Sequence, residues 1–402
     1  MRAPSYPPVI DLHELGVLPP EADFDGGGQS RGIWRLPDDR QTLFKRYNAQ
    51  GPQNADTGQL DRLIAQPGAL PETDRILVSV ATAWPVSRVV DGAQTVGVLI
   101  PEAPDDLKVV WFSPQARKEP QRYDRLPIDY LAKPDTFLSK RLIRSQSPAD
   151  RLDVCGWIVQ LAALFERLGI VYADWSYSNA FWHPIYQTVY LIDLDGCSYG
   201  PRKHVVTPGF DDPHTPTSRP VDTFTDRYRM ALLVARCVTG LREVSDVVDA
   251  MRRVPDTWAV TLLGMLTAPD RRARPSAADL LAALRPEPAP SGSSANSGTA
   301  TSSGADRSAT GVVSWKPRRP ATSVPVSSVP VSSPPEAPPP STPGSPAGAS
   351  WPTPPSSAPM TTPGAAAPRP PSKSQLVVGC GAFLLALALL VFIGLCSAKS
   401  LF

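Results

Sequence analysis

The chain has 402 residues, a net charge of +2 and 48 prolines, a composition that excludes one compact globule. Near-balanced charge, with no basic stripe interleaved with aromatics, excludes nucleic acid as a partner. Five scattered cysteines without paired spacing exclude a disulfide framework and point to a reducing compartment, and four isolated histidines exclude a zinc cluster.

The opening MRAPSYPPVIDLHELG has no apolar stretch of the kind a signal peptide needs. In GGGQSRGIWRL, followed by the polar turn Pro37 to Asp39 and the run Thr42 to Tyr47, the pattern is a glycine loop between two strands and then a third strand. Gly26, Gly27 and Gly28 in such a loop let backbone N–H groups approach phosphate oxygens, and Lys45 on the third strand supplies a cation to them. Residues 57–64 read as a short helix with Leu60, Leu63 and Ile64 as its apolar stripe. The segments ILVSVATAWPVSRVV and TVGVLIPEAP are rich in β-favouring residues and are expected as a hairpin turning at Asp91-Gly92.

Ser147-Pro148-Ala149-Asp150 opens the next helix with a capping-box start and proline at its first position. Val154, Ile158, Leu161, Leu164 and Phe165 recur at helical spacing up to a stop at Gly169. A short polar turn then carries Asp174 and Asn179 five residues apart, and the apolar run Val189 to Ile192 ends in Asp193. Phosphoryl transfer needs Mg²⁺ held against the phosphates and an acceptor hydroxyl aimed in line, and carboxylate and amide oxygens are the hard ligands Mg²⁺ prefers. Asp174 is therefore the candidate base, Asn179 and Asp193 the candidate metal ligands, and ATP with Mg²⁺ the candidate cofactors. Asp195, two residues on, stands available to a second ion. Another buried helix is expected from near Thr225 to Gly240 through Met230, Leu232, Leu233 and Val238, and a last one in RRARPSAADLLAAL.

Residues 287–374 are dominated by Pro, Ser, Thr, Ala and Gly, too poor in large apolar side chains to offset chain entropy, and are expected to be a disordered linker. Flexible-chain scaling gives it a reach on the order of 50 Å. Leu376 to Cys396 holds no charged residue and is long enough to cross a bilayer, so 375–397 is expected as a single transmembrane helix contacting lipid. Arg369 and Lys373 before the span, against Lys399 after it, favour a cytoplasmic N-terminal domain.

The loop YADWSYSN, the IDLDG that follows it, the glycine loop with its strand lysine, AWP leading into VGVLIPEAP, the Asp226 helix and RRARPSAADLLAAL occur in an order that resembles the protein-kinase fold, in its divergent bacterial eukaryotic-like (Hanks-type) serine/threonine form. The likeness spans roughly residues 26–284. It implies an α+β, two-lobed domain over 1–286, with a small β-rich N-lobe at about 20–103 and a mainly helical C-lobe at about 104–285. It places adenine against Leu99, with the backbone of Pro101, Glu102 and Ala103 as its hydrogen-bonding rim. It also implies an acid on the helix after the lysine strand as the partner of Lys45, for which Asp61 is the nearest candidate. Asp226 would hold the catalytic loop's backbone, and Arg274 would meet Asp211 or Asp212.

Several positions depart from the family pattern. Arg31 stands in place of the third glycine, Tyr172 in place of a histidine and Ser176 in place of a lysine, and Ala-Pro-Glu is absent. Arg202 and Lys203 are the candidates to replace the missing cation. The implied function is a membrane-tethered protein kinase acting with Mg-ATP on Ser/Thr hydroxyls of membrane-proximal proteins. Its alternatives are a pseudokinase scaffold that binds nucleotide or partners without transfer, or a small-molecule phosphotransferase of the aminoglycoside or choline kinase type, whose loops have a similar xxDxxxxN and IDxD.

Overall fold

The computed structural model describes residues 6–28, 30–48, 57–114 and 120–285. The expected linker and apolar C-terminal run lie outside the described residues, and no described helix is long and apolar enough to cross a membrane.

The N-terminal half is built on a six-stranded sheet of β1 (Val9–Asp11), β2 (Phe24–Asp25), β3 (Ser30–Arg35), β4 (Thr42–Tyr47), β5 (Ser87–Asp91) and β6 (Gln94–Pro101), in the order β1-β5-β6-β4-β3-β2. Residues 26–28 form the turn between β2 and β3, as the glycines suggest. Strand side chains alternate between faces, and the two faces of this sheet are covered differently. Phe44 and Leu99, paired across β4 and β6, join Ile10, Leu15, Trp34 and Val89 on one side. Leu43, Tyr47, Val98 and Ile100 lie on the other, packed with Leu60, Ala83, Leu107 and Tyr190. Gly97 lets β6 run close to β4, because a Cβ there would strike the Lys45 carbonyl and the Phe44 ring.

Helices α1 (Thr57–Ala65) and α2 (Glu72–Ala81) follow β4. The second overturns the expected strand: Ile76 to Ala81 are helical, and only Ser87–Asp91 pairs with β6 in the hairpin. Pro71 caps the helix, Glu72 and Asp74 sit in its first turn, and Leu77, Val78 and Ala81 are buried. Ile76 and Val80, one turn apart, are 52% and 49% exposed. The apolar run therefore divides between a buried and an exposed helix face, whereas β-favouring composition alone suggested a strand.

After β6 come β7 (Lys108–Phe112) and β8 (Gln121–Pro127), then α3 (Asp135–Ser139) and the long α4 (Pro148–Leu168). Ser147 and Asp150 close the expected capping box, and Gly169 ends α4 in the left-handed conformation. The chain continues through β9 (Ile170–Val171), β10 (Ala180–Trp182), β11 (Val189–Leu191) and β12 (Ser198–Tyr199). β11-β10-β8-β7 form a second sheet and β12 pairs with β9. Helices α5 (Thr223–Thr239), α6 (Val244–Met251), α7 (Thr257–Thr267) and α8 (Ala277–Leu284) complete the described chain. The five apolar residues expected to line α4 are all buried in one large core shared with α5, α7 and α8. The architecture is thus β-rich first and mainly helical after.

Candidate active site

Lys45 lies on the β4 face that carries Leu43 and Tyr47, between the sheet and the end of β11. Its Nζ donates to the Asp193 carboxylate and, at 2.8 Å, to Asp195 Oδ1. Burial alone would lower the lysine's pKa, but the carboxylates of Asp195 and Asp193 outweigh it and hold the ammonium above its ordinary range. The two carboxylates differ in setting. Asp193 adopts left-handed backbone geometry and its side chain is 43% exposed, whereas that of Asp195 is 4% exposed.

The candidate loop is held from below. Asp226 on α5 accepts the amide N–H groups of Tyr172 at 2.7 Å and of Ala173 at 2.8 Å, as expected. Burial pushes its carboxyl up to about 7, against the pull of those two amides, which favour the anion. Ala173 itself is left-handed, at φ 68°. The Tyr172 hydroxyl donates to the Ile192 carbonyl at 2.6 Å, so a tyrosine in the histidine's place ties this loop to the residue before Asp193.

Asn179 Nδ2 donates to the Asp174 carbonyl at 3.0 Å, and the Ile192 amide donates to the Asn179 carbonyl at 2.9 Å. With Ala180 opposite Leu191 in the β10/β11 register, Asn179 and Asp193 stand at the same end of that hairpin. Lys45, Asp193, Asn179 and Asp174 thereby form one connected set. Two hard-oxygen donors at adjacent strand ends, one a partly exposed carboxylate and the other an amide whose N–H₂ is already committed, suit Mg²⁺ shared with phosphates. Among the described residues, no cluster of three or more His, Cys, Asp or Glu side chains is arranged as a metal cage by itself.

Other expected residues fall differently. Leu99 is fully buried against Phe44 and Trp34 on the face of the sheet away from Lys45, because it is one residue out of phase with Val98 and Ile100. The expected rim is partly engaged within the protein. The Glu102 amide donates to the Gln41 carbonyl, Arg125 donates to the Ala103 carbonyl, and the Tyr190 hydroxyl reaches the Pro101 carbonyl at 3.5 Å. The Glu102 side chain is bidentate with Arg35, at 2.8 Å for both bonds. Gly26 packs against β3, where a Cβ would strike the Ser30 carbonyl, while Gly27 and Gly28 have open space around them.

Asp61, the sole acid of α1, turns to Arg88 on β5 through bonds of 2.7 and 3.1 Å and does not meet Lys45. The position was ambiguous because the apolar stripe of α1 is too short to fix its inward face. Arg202 donates to the Gly196 carbonyl, and Lys203 is exposed. Ser176 is buried with its hydroxyl 3.0 Å from that of Ser178.

Two residues at the site had not been singled out from the sequence. Thr207 Oγ1 donates to Asp174 Oδ1 at 3.1 Å, and the fully buried Arg229 donates to Thr207 Oγ1 at 3.0 Å and to the Ala173 carbonyl. The available signal was Arg229 itself, a charge one turn beyond Asp226 on the apolar face of α5.

No family model matches the chain, and no curated protein matches it. Among solved structures it is similar to the ROP18 kinase domain in complex with AMP-PNP and sucrose, with 15% sequence identity and a TM-score of 0.42, over 64% of this chain and 76% of that one.

Proposed function

We propose that the chain is an ATP-dependent phosphotransferase of the protein-kinase type, acting on serine or threonine hydroxyls of proteins and tethered to a membrane through its C-terminal apolar run. The observation that carries this reading is the connected set in which Lys45 meets Asp193 while Asn179 holds the loop of Asp174. In this reading Lys45 exchanges the Asp193 carboxylate for phosphate oxygens. Asp174, with one oxygen fixed by Thr207, keeps the other to orient the acceptor hydroxyl and take its proton. Asn179 and Asp193 would hold Mg²⁺, which when bound neutralises charge on the β- and γ-phosphates. The resemblance of RRARPSAADLLAAL and of the Asp226 helix to those of protein kinases supports a protein acceptor over a small molecule.

A second reading, nucleotide binding without transfer, is favoured by Ser176, which offers no cation beside the γ-phosphate. Incubation of the full-length chain with labelled ATP, Mg²⁺ and myelin basic protein, beside a panel of sugars and amino alcohols, separates the possibilities. Transfer to protein that falls by roughly 10²-fold or more in Asp174→Asn supports the kinase. Equal and negligible incorporation with nucleotide binding intact supports the second reading, and turnover confined to a small hydroxyl compound ends the preference for proteins.

A further inference from the structure

We infer that Asp195 is the fixed counter-charge of Lys45 and holds it for nucleotide, leaving Asp193 free to turn toward a metal ion; this rests on the phosphotransfer reading above. Lys45 sits between two carboxylates that are not equivalent. Asp193 is partly exposed and lies at the tip of β11, with the room a ligand-exchanging group needs. Asp195 is almost wholly buried, 2.8 Å from Nζ.

The backbone around Asp195 is pinned on both sides. Leu194 is fully buried in the C-terminal core, the Cys197 amide closes a turn onto the Leu194 carbonyl at 2.9 Å, and Arg202 caps the Gly196 carbonyl. The turn that carries Asp195 is thereby held to the core. The helix that was expected to supply the lysine's partner has its sole acid committed to Arg88. That helix grips the same segment in another way: Gln59 accepts the Tyr199 amide at 2.9 Å, and the Arg62 guanidinium lies over the Tyr199 ring.

Were Asp193 the lysine's sole partner, turning it to a metal would leave a buried ammonium without a counter-charge until phosphate oxygens reach it, which is costly. Asp195 removes that conflict, so residues 193–199 carry the metal-facing acid, the lysine's anchor and the docking point of α1 together.

The test uses the full-length chain and two measurements. In thermal melts without nucleotide, Asp195→Asn should lower Tm by roughly 5–10 °C and Asp193→Asn by clearly less. In a Lys45→Met background the Asp195→Asn penalty should largely vanish, because the stranded charge is gone. In titrations with a fluorescent ATP analogue, Asp195→Asn should weaken binding by at least about ten-fold with and without Mg²⁺, and Asp193→Asn should remove only the Mg²⁺-dependent gain.

A larger nucleotide-free loss for Asp193→Asn overturns the inference, as does an Asp195 penalty that persists in the Lys45→Met background. An Asp195 effect on affinity that vanishes without Mg²⁺ overturns it too, marking a metal ligand instead. If Asp195→Asn does not fold, the double variant with Lys45→Met decides: its folding supports the inference and its failure overturns it. Wild type that binds no nucleotide under any condition sinks the phosphotransfer reading, while the melts still judge the Lys45–Asp195 pairing.

Discussion

Arg274 and Asp212 meet through two parallel hydrogen bonds of 2.7 Å, with neither side chain exposed. Asp211, its equal as a candidate in the sequence, turns instead to Arg229 at 3.0 Å. Neighbouring acids are thus divided between two buried arginines. Arg274 anchors the end of the segment that crosses the site, and Arg229 anchors its middle at Thr207. Removing one member of a buried pair leaves an uncompensated charge, whereas removing both does not. Arg274→Met should therefore cost about 3–5 kcal/mol in urea unfolding, and Arg274→Met with Asp212→Leu should recover a good part of it. Equal loss in both variants would show that Arg274 acts by packing on Tyr228, over whose ring it also lies.

The same pair sets a pH dependence. Burial works to raise the Asp212 carboxyl, but the hydrogen bonds from Arg274, the His214 amide and Thr215 outweigh it and hold its pKa below the ordinary value. The folded state then holds this proton less tightly than the unfolded chain, so the stabilisation is fully present above the unfolded pKa, about 3.9. It is lost as pH falls through the depressed folded value. Melting temperature followed from pH 6 down to about 3 should drop less steeply for Asp212→Asn, which starts lower, than for wild type.

Asp226 should govern the loop more than the core around it. An asparagine keeps one acceptor oxygen but sets an N–H₂ against the second backbone amide, so one donor of the Tyr172–Ala173 pair is orphaned. The expected loss for Asp226→Asn is about 1.5–3 kcal/mol, the usual worth of a hydrogen bond to a charged group. Amide hydrogen exchange at Tyr172 and Ala173 should accelerate selectively. Uniform acceleration across α5 would instead locate the role of Asp226 in holding the helix.

The long helices were legible in the sequence because their caps and their period agree: Ser147, Gly169 and Gly240 mark ends that the structure keeps. The lysine strand and the Asp174–Asn179 loop were legible from their spacing taken together with the order of the other motifs along the chain. What failed depended on phase or on distant partners. Ile76 to Ala81 have strand composition but present a helix's buried face, and Leu99 lies one residue from the side that faces Lys45. Asp61 and Asp195 could be sorted only by knowing that Arg88 and Lys45 await them from other strands. Thr207 has no local signal at all, since its meaning comes from Asp174, 33 residues earlier in the chain.

The two faces of β6 should separate stability from binding. Leu99→Ala empties a fully buried site against Phe44 and should cost about 2–5 kcal/mol. Nucleotide affinity should change little, measured with a fluorescent ATP analogue at a temperature where the variant remains folded. Val98→Ala removes less volume but does so on the Lys45 side, and should weaken the analogue while lowering the urea midpoint less. The reverse pattern would return Leu99 to the role of adenine contact.

Thr207 is where the segment before α5 reaches the candidate base. Its hydroxyl donates to Asp174 and accepts from Arg229, so it fixes one carboxylate oxygen while letting a buried cation act on Asp174 through a single intervening group. Thr207→Val keeps the volume and loses both bonds. A hydrogen bond to a charged group is worth about 1.5–3 kcal/mol, so kcat for transfer to myelin basic protein should fall roughly 10- to 100-fold, at 1.36 kcal/mol per decade. KM for ATP should hardly move, because the Thr207 hydroxyl bonds Asp174 and Arg229 and none of the residues assigned to the nucleotide or metal. Thr207→Ser, which restores the hydroxyl, should recover most of the rate. A Thr207→Ser variant as slow as Thr207→Val would place the requirement in the methyl group's packing, and a rise in KM for ATP without change in kcat would move Thr207 to the nucleotide.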